Sequence, residues 1–418
     1  MKPDAVAPQS FAALRHPGFR VYFLSTALTM LADNIEHVIS YWVIFRKFHS
    51  PALGGFAVVS HWLPFLLFSV YAGALAERFD PRRIIQLGML LFMGVSVCWG
   101  VLFLTDSLQL WQAWVLLIVH GIAGVLWNPP AQLLLHDIVG TKDLQSAVRL
   151  GSTARYLGML TGPAVGSVIL LALGPAHGIF VNALIYLPML LWLWKAPYGP
   201  KFRKDAPRPV RALRGLRDII DTFDSIRANP VLLCMTLLAG GAAFFVGNSY
   251  QAQMPEFADF LGHGTPGATY GMLLGADAAG ALTGGFVLES RGMLRASPRT
   301  AFVLAMLWCC ALGGFALCRS YPIALGLLFV AGFVELSFNS MAQALVQINA
   351  PPEIRGRAIG VFSMAASGMR TFSGICVGLV GGLIGIHWSL ALSALLLLTL
   401  ISLLFTRVPR MVSATSGT

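Results

Sequence analysis

Asp33, Glu36, His37 and Ser40 recur at i, i+3, i+4 and i+7 inside an apolar stretch, so a helix there carries all four on one face. Asp33 lies fourteen residues beyond Phe19, about 21 Å along a helix at 1.5 Å per residue, past the middle of a bilayer. Ionisable groups at such depth cost roughly 2.5–3.5 kcal/mol each on insertion scales, and they face a partner or a cavity. Two acids and an imidazole one turn apart are suited to holding and passing a proton. The other reading is a hydrogen-bonded structural cluster, or a vestibule in which Glu36 and His37 are wet. His120 stands alone on a later helix, Asn248 and Tyr250 polarise another, and Asp277 sits between Gly275 and Gly280. Glu335 and Arg370 fall at mid-depth, either as a structural ion pair or as groups that meet a substrate or coupling ion.

The elements that hold these residues follow from composition. Of 418 residues 56% are apolar and only 11% charged, against about 25% charged in soluble domains, and the mean hydropathy is +0.73. A spanning helix needs roughly 20 mostly apolar residues. Twelve such runs are present, near 19–45, 54–76, 83–104, 110–135, 146–173, 176–194, 230–255, 267–288, 300–318, 321–346, 357–383 and 386–406. They predict an all-α membrane protein of twelve transmembrane helices. The net charge of +11 does not call for nucleic acid. With Met1 in the cytoplasm, twenty-four Lys or Arg fall on the cytoplasmic side and three (Arg46, Lys47, Arg319) outside, with Arg155 and Arg370 inside helices. That is the positive-inside pattern, and it predicts an inner-membrane, multi-pass chain with both termini cytoplasmic.

The six cysteines lie in or beside apolar runs without metal-ligand or disulfide spacing, and no metal ligands are assigned. No G-x-x-x-x-G-K-[ST] phosphate loop and no nucleophile motif is present, so neither direct ATP use nor an enzyme is expected. The proton gradient is the expected energy source, with no cofactor.

A basic linker, Ala196 to Asn229, divides two halves, 1–195 and 230–418, each expected to form a six-helix bundle. It carries eight Lys or Arg against four Asp, and its second part, Val210 to Arg227, has the pattern of an amphipathic helix lying on the inner headgroups. The halves repeat. Trp127-Asn128-Pro129-Pro130-Ala131-Gln132 returns as Phe338-Asn339-Ser340-Met341-Ala342-Gln343, and Gly73-Ala74-Leu75-Ala76-Glu77 as Gly285-Phe286-Val287-Leu288-Glu289.

Gly73, Glu77, Arg78, Arg82 and Arg83 resemble the G-x-x-x-[DE]-R-x-x-x-[RK]-[RK] signature of the major facilitator superfamily, echoed by Gly285, Glu289 and Arg291. The acids and arginines can form a charge network at an inner gate. Gly158, Gly162, Pro163 and Gly166 resemble the antiporter motif of that superfamily's exporters, with Pro163 as a hinge. Where drug/proton antiporters have R-x-x-Q-G, Leu117 replaces the arginine, and Arg155 is the candidate substitute. The run Leu14 to Arg20, Asp33, Ser50-Pro51 and Asn128-Pro129-Pro130-Ala131-Gln132 are similar to the enterobactin-exporter-like branch. This resemblance implies the major facilitator fold, two bundles rocking about a central cavity reached by Asp33, His120, Asn248 and Glu335. Tyr41, Trp42, Trp127, Phe244, Phe245, Tyr250 and Phe338 would supply an aromatic wall. It implies proton-coupled export of small amphipathic organic molecules, siderophores or drugs, by a monomer in the lipid bilayer. A lipid or lysophospholipid flippase of the same fold and a non-transporting membrane sensor are the alternatives.

Overall fold

In the computed structural model, the described residues are 10–48, 51–202, 216–247, 249–261, 268–290, 296–373, 376–377 and 380–415. Asn248, Arg291, Ser50 and the first part of the expected amphipathic helix lie outside them. Every long element is helical: α1 Pro17–Phe48, α2 Pro51–Arg78, α3 Pro81–Leu104, α4 Leu110–Val139, α5 Leu144–Ile185, α6 Leu187–Lys195, α7 Leu216–Ala228 and α8 Pro230–Phe245. The short α9 Ser249–Ala252 and α10 Met254–Phe260 follow, then α11 Ala268–Ser290, α12 Pro298–Leu317 and α13 Tyr321–Asn349. Last come α14 Arg355–Ser363, α15 Arg370–Ser373, α16 Val380–Ile384 and α17 Ile386–Thr415. Local chemistry sets several starts: Asp80, Asn229 and Ser297 cap α3, α8 and α12 with their side-chain oxygens, each followed by a proline at the first helical position.

Nine helices among the described residues are long and apolar enough to cross a membrane. The difference from twelve has three sources. Polar Asp33, Asn34, Glu36 and His37 set α1 apart; α5 and α6 run on as one apolar stretch, Leu144–Phe202; and the eleventh run is described only in part, with 374–375 and 378–379 outside the described residues. That run passes from α14 through a π-helical turn, Met364–Gly368, into α15. The seventh run was expected to be continuous, but α8 ends at Phe245 and Gly247 takes φ 50° before α9. The backbone stays helical through the exposed Pro163, and the non-helical Gly174, φ 73°, marks the join between the expected fifth and sixth runs.

Buried apolar side chains sort into two main clusters. Phe19, Met89, Phe92, Leu134 and Tyr186 anchor one, and Phe302, Trp308, Phe315, Leu328 and Phe338 the other. Trp194, Leu171 and Leu383, at 68%, 86% and 85% exposure, point outward, as lipid-facing side chains do. Because lipid tails are as apolar as leucine, association between such helices rests on close packing and polar contacts, which is where the glycines act. A Cβ at Gly158 would lie 2.5 Å from the Ala27 carbonyl, and one at Gly166 3.2 Å from the Ile35 Cα. The antiporter-like glycines therefore seat α5 directly against the helix that bears Asp33 and Glu36.

Candidate functional site

The polar face of α1 meets an imidazole from α4. His120 Nε2 is 2.9 Å from Asp33 Oδ1, and its Nδ1 is 2.8 Å from Glu36 Oε1. Two carboxylate acceptors facing two ring nitrogens are satisfied in full by an imidazolium with a donor on each. All three side chains are buried, Asp33 7%, Glu36 2% and His120 3% exposed. Ser96 of α3 donates to Glu36 Oε2 at 2.5 Å, and Asn182 of α5 donates to Ser96 at 3.3 Å. His37 Nδ1 lies 3.9 Å from Asp33 Oδ2, with its ring 5.1 Å from that of Tyr41. His61 of α2 completes the group, its ring centroid 5.0 Å from that of His37 and 5.7 Å from that of His120. Gly121 makes this possible: a Cβ there would overlap the Ser60 carbonyl, so only glycine lets α2 bring His61 to the turn of α4 that carries His120. Two carboxylates around one imidazolium would carry a net charge of −1, in surroundings where an unbalanced charge is costly.

A second cluster lies in the other half. The Tyr250 hydroxyl is 3.1 Å from Asp277 Oδ2 and 3.3 Å from Glu335 Oε2, and Gln251 donates to Asp277 at 3.1 Å. Both acids are buried, and Asp277 Oδ1 has no hydrogen-bond partner among the described residues. Arg370 does not pair with Glu335. Its Nε donates to the Ala366 carbonyl at 3.2 Å, and its guanidinium lies 5.0 Å from the Trp62 ring.

The repeated glycine–acid motif forms two seams between the halves at the end of the molecule that carries most of the arginines, the basic end. Glu77 accepts from the Arg357 backbone N at 2.8 Å and from its Nε at 2.9 Å. Glu289 accepts from Arg149 Nη1 at 3.1 Å and from the Ser146 hydroxyl. A Cβ on Gly73 would overlap the Gly356 carbonyl, and one on Gly285 would overlap Thr153 Oγ1. Gln132 reaches Ser363 and Gln347 across the same interface at 3.3 and 3.4 Å. The arginines of the first motif stay in their own half: Arg82 closes on Asp80, 3.0 Å, and on the Ala196 carbonyl; Arg83 on Gln86, 2.7 Å; and Arg78 on the Phe79 ring. Glu77→Gln keeps an acceptor for the Arg357 N–H but loses the charge on its guanidinium contact, a change of about 1–2 kcal/mol. Spin labels on the ends of α2 and α14 are therefore expected to show a wider, longer distance distribution in that variant.

Several expectations are redrawn. Arg155 does not join the Asp33 group; it donates to Ser152 and to Gln343 at 3.1 and 3.2 Å. Trp127 and Phe338 are packed into the two apolar cores rather than into a common wall, and Trp42 is exposed beside Arg46. Three participants carry no distinguishing signal in the chain. His61 looks like any lone helix histidine, Arg357 reads as one more basic loop residue, and Ser96 is one hydroxyl among many.

Residues 8–417 match the family described as transmembrane secretion effector. It is 24% identical over 385 residues to the multidrug efflux pump Tap of Mycolicibacterium fortuitum, covering 90% of this chain and 92% of that protein. It is 23% identical over 244 residues to the staphyloferrin A transporter of Staphylococcus aureus, covering 56% and 58%. In structure it is similar to the human organic anion transporter TETRAN, with a TM-score of 0.73 at 15% identity over 94% of this chain and 99% of that one. The chain belongs to the transmembrane secretion effector family and is a multi-pass, efflux-type transporter of the major facilitator superfamily.

Proposed function

We propose that this protein exports small amphipathic organic molecules, of siderophore or drug type, by proton antiport. It would work as a monomer in the inner membrane, with both termini in the cytoplasm and with 1–195 and 230–418 as the two moving bundles joined by 196–229. The observation that carries the reading is His120 held between Asp33 and Glu36 at 2.9 and 2.8 Å. Such a cluster, one charge short of neutrality, gains from taking up a proton, and a proton on Asp33 ends its ionic hold on His120. The groups facing Asp33 are His37 on its own helix, His61 from α2 and His120 from α4, with Tyr186 nearby.

With the basic end on the cytoplasmic side, the Glu77–Arg357 and Glu289–Arg149 seams close the inner gate. In the cycle, Asp33 takes a proton from outside as substrate leaves. The neutral acid favours return to the inward state, where the proton is lost and new substrate binds. The names of relatives, a multidrug efflux pump and a staphyloferrin A transporter, support the substrate class. The test is flux in proteoliposomes with a trapped pH dye, with ethidium and staphyloferrin A as probes. Substrate movement one way should drive protons the other. Flux that persists unchanged when a protonophore collapses the gradient would overturn the coupling.

A further inference from the structure

We propose that Asp33, His37, His61 and His120 form a binding site for one divalent first-row transition-metal ion of the zinc or cobalt class. Each of the four offers one ligand atom, and the four atoms all lie within 4.8 Å of one another. They come from three helices. A tetrahedral ion with nitrogen ligands at about 2.0–2.1 Å sets its ligand atoms about 3.3–3.4 Å apart, so the widest pair has to close by about 1.5 Å, within the reach of side-chain rotation.

Three features are those of a metal site rather than of packing. His61 Nδ1 is buried with no hydrogen-bond partner among the described residues, a lone pair or N–H left unused beside two other imidazoles. Glu36 Oε1 sits on His120 Nδ1 at 2.8 Å and is itself fixed by Ser96, the carboxylate–histidine arrangement that orients a ligating ring and raises its basicity. The His37 side chain, 22% exposed against 4% for His120, gives an ion a way in. Three imidazoles with one carboxylate select zinc, cobalt or nickel over magnesium and calcium, which prefer oxygen. The ion takes the place that His120 Nε2 now gives to Asp33, so metal and proton compete for the same lone pair, and binding weakens in acid.

The inference uses side chains named in the coupling cycle, but its test is equilibrium binding and needs no transport. Tag-free protein in detergent is titrated with Co²⁺ at about pH 8, where protons compete less for the ligand nitrogens than in acid. The expected result is one ion per chain with the intense visible absorption of a tetrahedral site, displaced by Zn²⁺ but not by Mg²⁺ and lost on acidification. Glu36→Gln should weaken binding by about 10–100-fold. His61→Asn and His37→Asn should each remove the tetrahedral band while leaving the gel-filtration profile unchanged, and His177→Ala, exposed on α5, should leave the band in place. Absence of a tetrahedral band in the unsubstituted protein, or a band that survives the His37→Asn/His61→Asn double change, overturns the assignment. Loss of proton-driven flux with intact Co²⁺ binding would instead remove the coupling cycle and leave the site standing.

Discussion

Asp33→Asn is expected to reduce pH-gradient-driven export to the level of protein-free liposomes while substrate affinity in detergent and the unfolding temperature stay near those of the unsubstituted protein. Asparagine keeps an oxygen for His120 Nε2, now 2.9 Å away, and Glu36 remains to balance an imidazolium. What disappears is only the ability to ionise. His120→Leu acts on the same three side chains in the opposite sense: it leaves Asp33 and Glu36 one turn apart, both buried, with no charge between them. Breaking a buried, hydrogen-bonded charge set by removing one partner costs about 3–5 kcal/mol, so this variant should unfold at a clearly lower temperature. Adding Asp33→Asn and Glu36→Gln to it should recover most of the loss, because the stranded charges go with them. Export that survives Asp33→Asn under a pH gradient would take Asp33 out of the cycle. A His120→Leu protein as stable as the original would mean that the acids are held neutral and that no charge binds the cluster.

These side chains were unequally visible in the chain. The i, i+3, i+4, i+7 spacing marks Asp33, Glu36 and His37 because a single helix sets their geometry, and burial in an apolar run makes them conspicuous. His120 and His61 join from α4 and α2, and nothing in either stretch says that Gly121 draws the two helices into backbone contact. Pairing across helices depends on crossing points that periodicity does not encode. The gate shows the same limit. The repeat points to Gly73, Glu77, Gly285 and Glu289, yet the partners Arg357 and Arg149 are separated from them by more than a hundred residues. The neighbouring arginines, close in sequence, turn back on local acceptors such as Asp80. A run of apolar residues also hides its own breaks: Gly247 takes a positive φ, the freedom glycine alone provides cheaply, but Gly240 and Gly241 in the same run remain helical.

Gly73→Val is expected to open the basic end more than any other single change on the two seams. A Cβ at this position overlaps the Gly356 carbonyl and stands 3.3 Å from the Arg357 Cα. Both obstacles are backbone, held in a helix, so no rotamer change relieves them and α2 has to move away from α14. Forced overpacking of this kind costs about 1–3 kcal/mol. Separating the helices also loosens the charged hydrogen bonds from Arg357 to Glu77, worth about 1.5–3 kcal/mol. At about 1.4 kcal/mol per tenfold, the closed arrangement loses roughly a hundredfold or more in population relative to one in which the seam is parted. Ser363, 2% exposed and bonded to Gln132 inside the seam, reports this directly. A cysteine placed there, in a background with the six native cysteines replaced, should react with a membrane-impermeant maleimide from the basic side at least about tenfold faster in the Gly73→Val protein. The pseudo-symmetric Gly285→Val provides the control. There the overlapping atom is Thr153 Oγ1, the end of a side chain that can rotate, so the seam yields locally and labelling should rise much less. Equal acceleration by both substitutions would show that the halves part as a rigid pair whichever seam is strained. No acceleration by Gly73→Val would show that α2 and α14 are not what keeps this end shut.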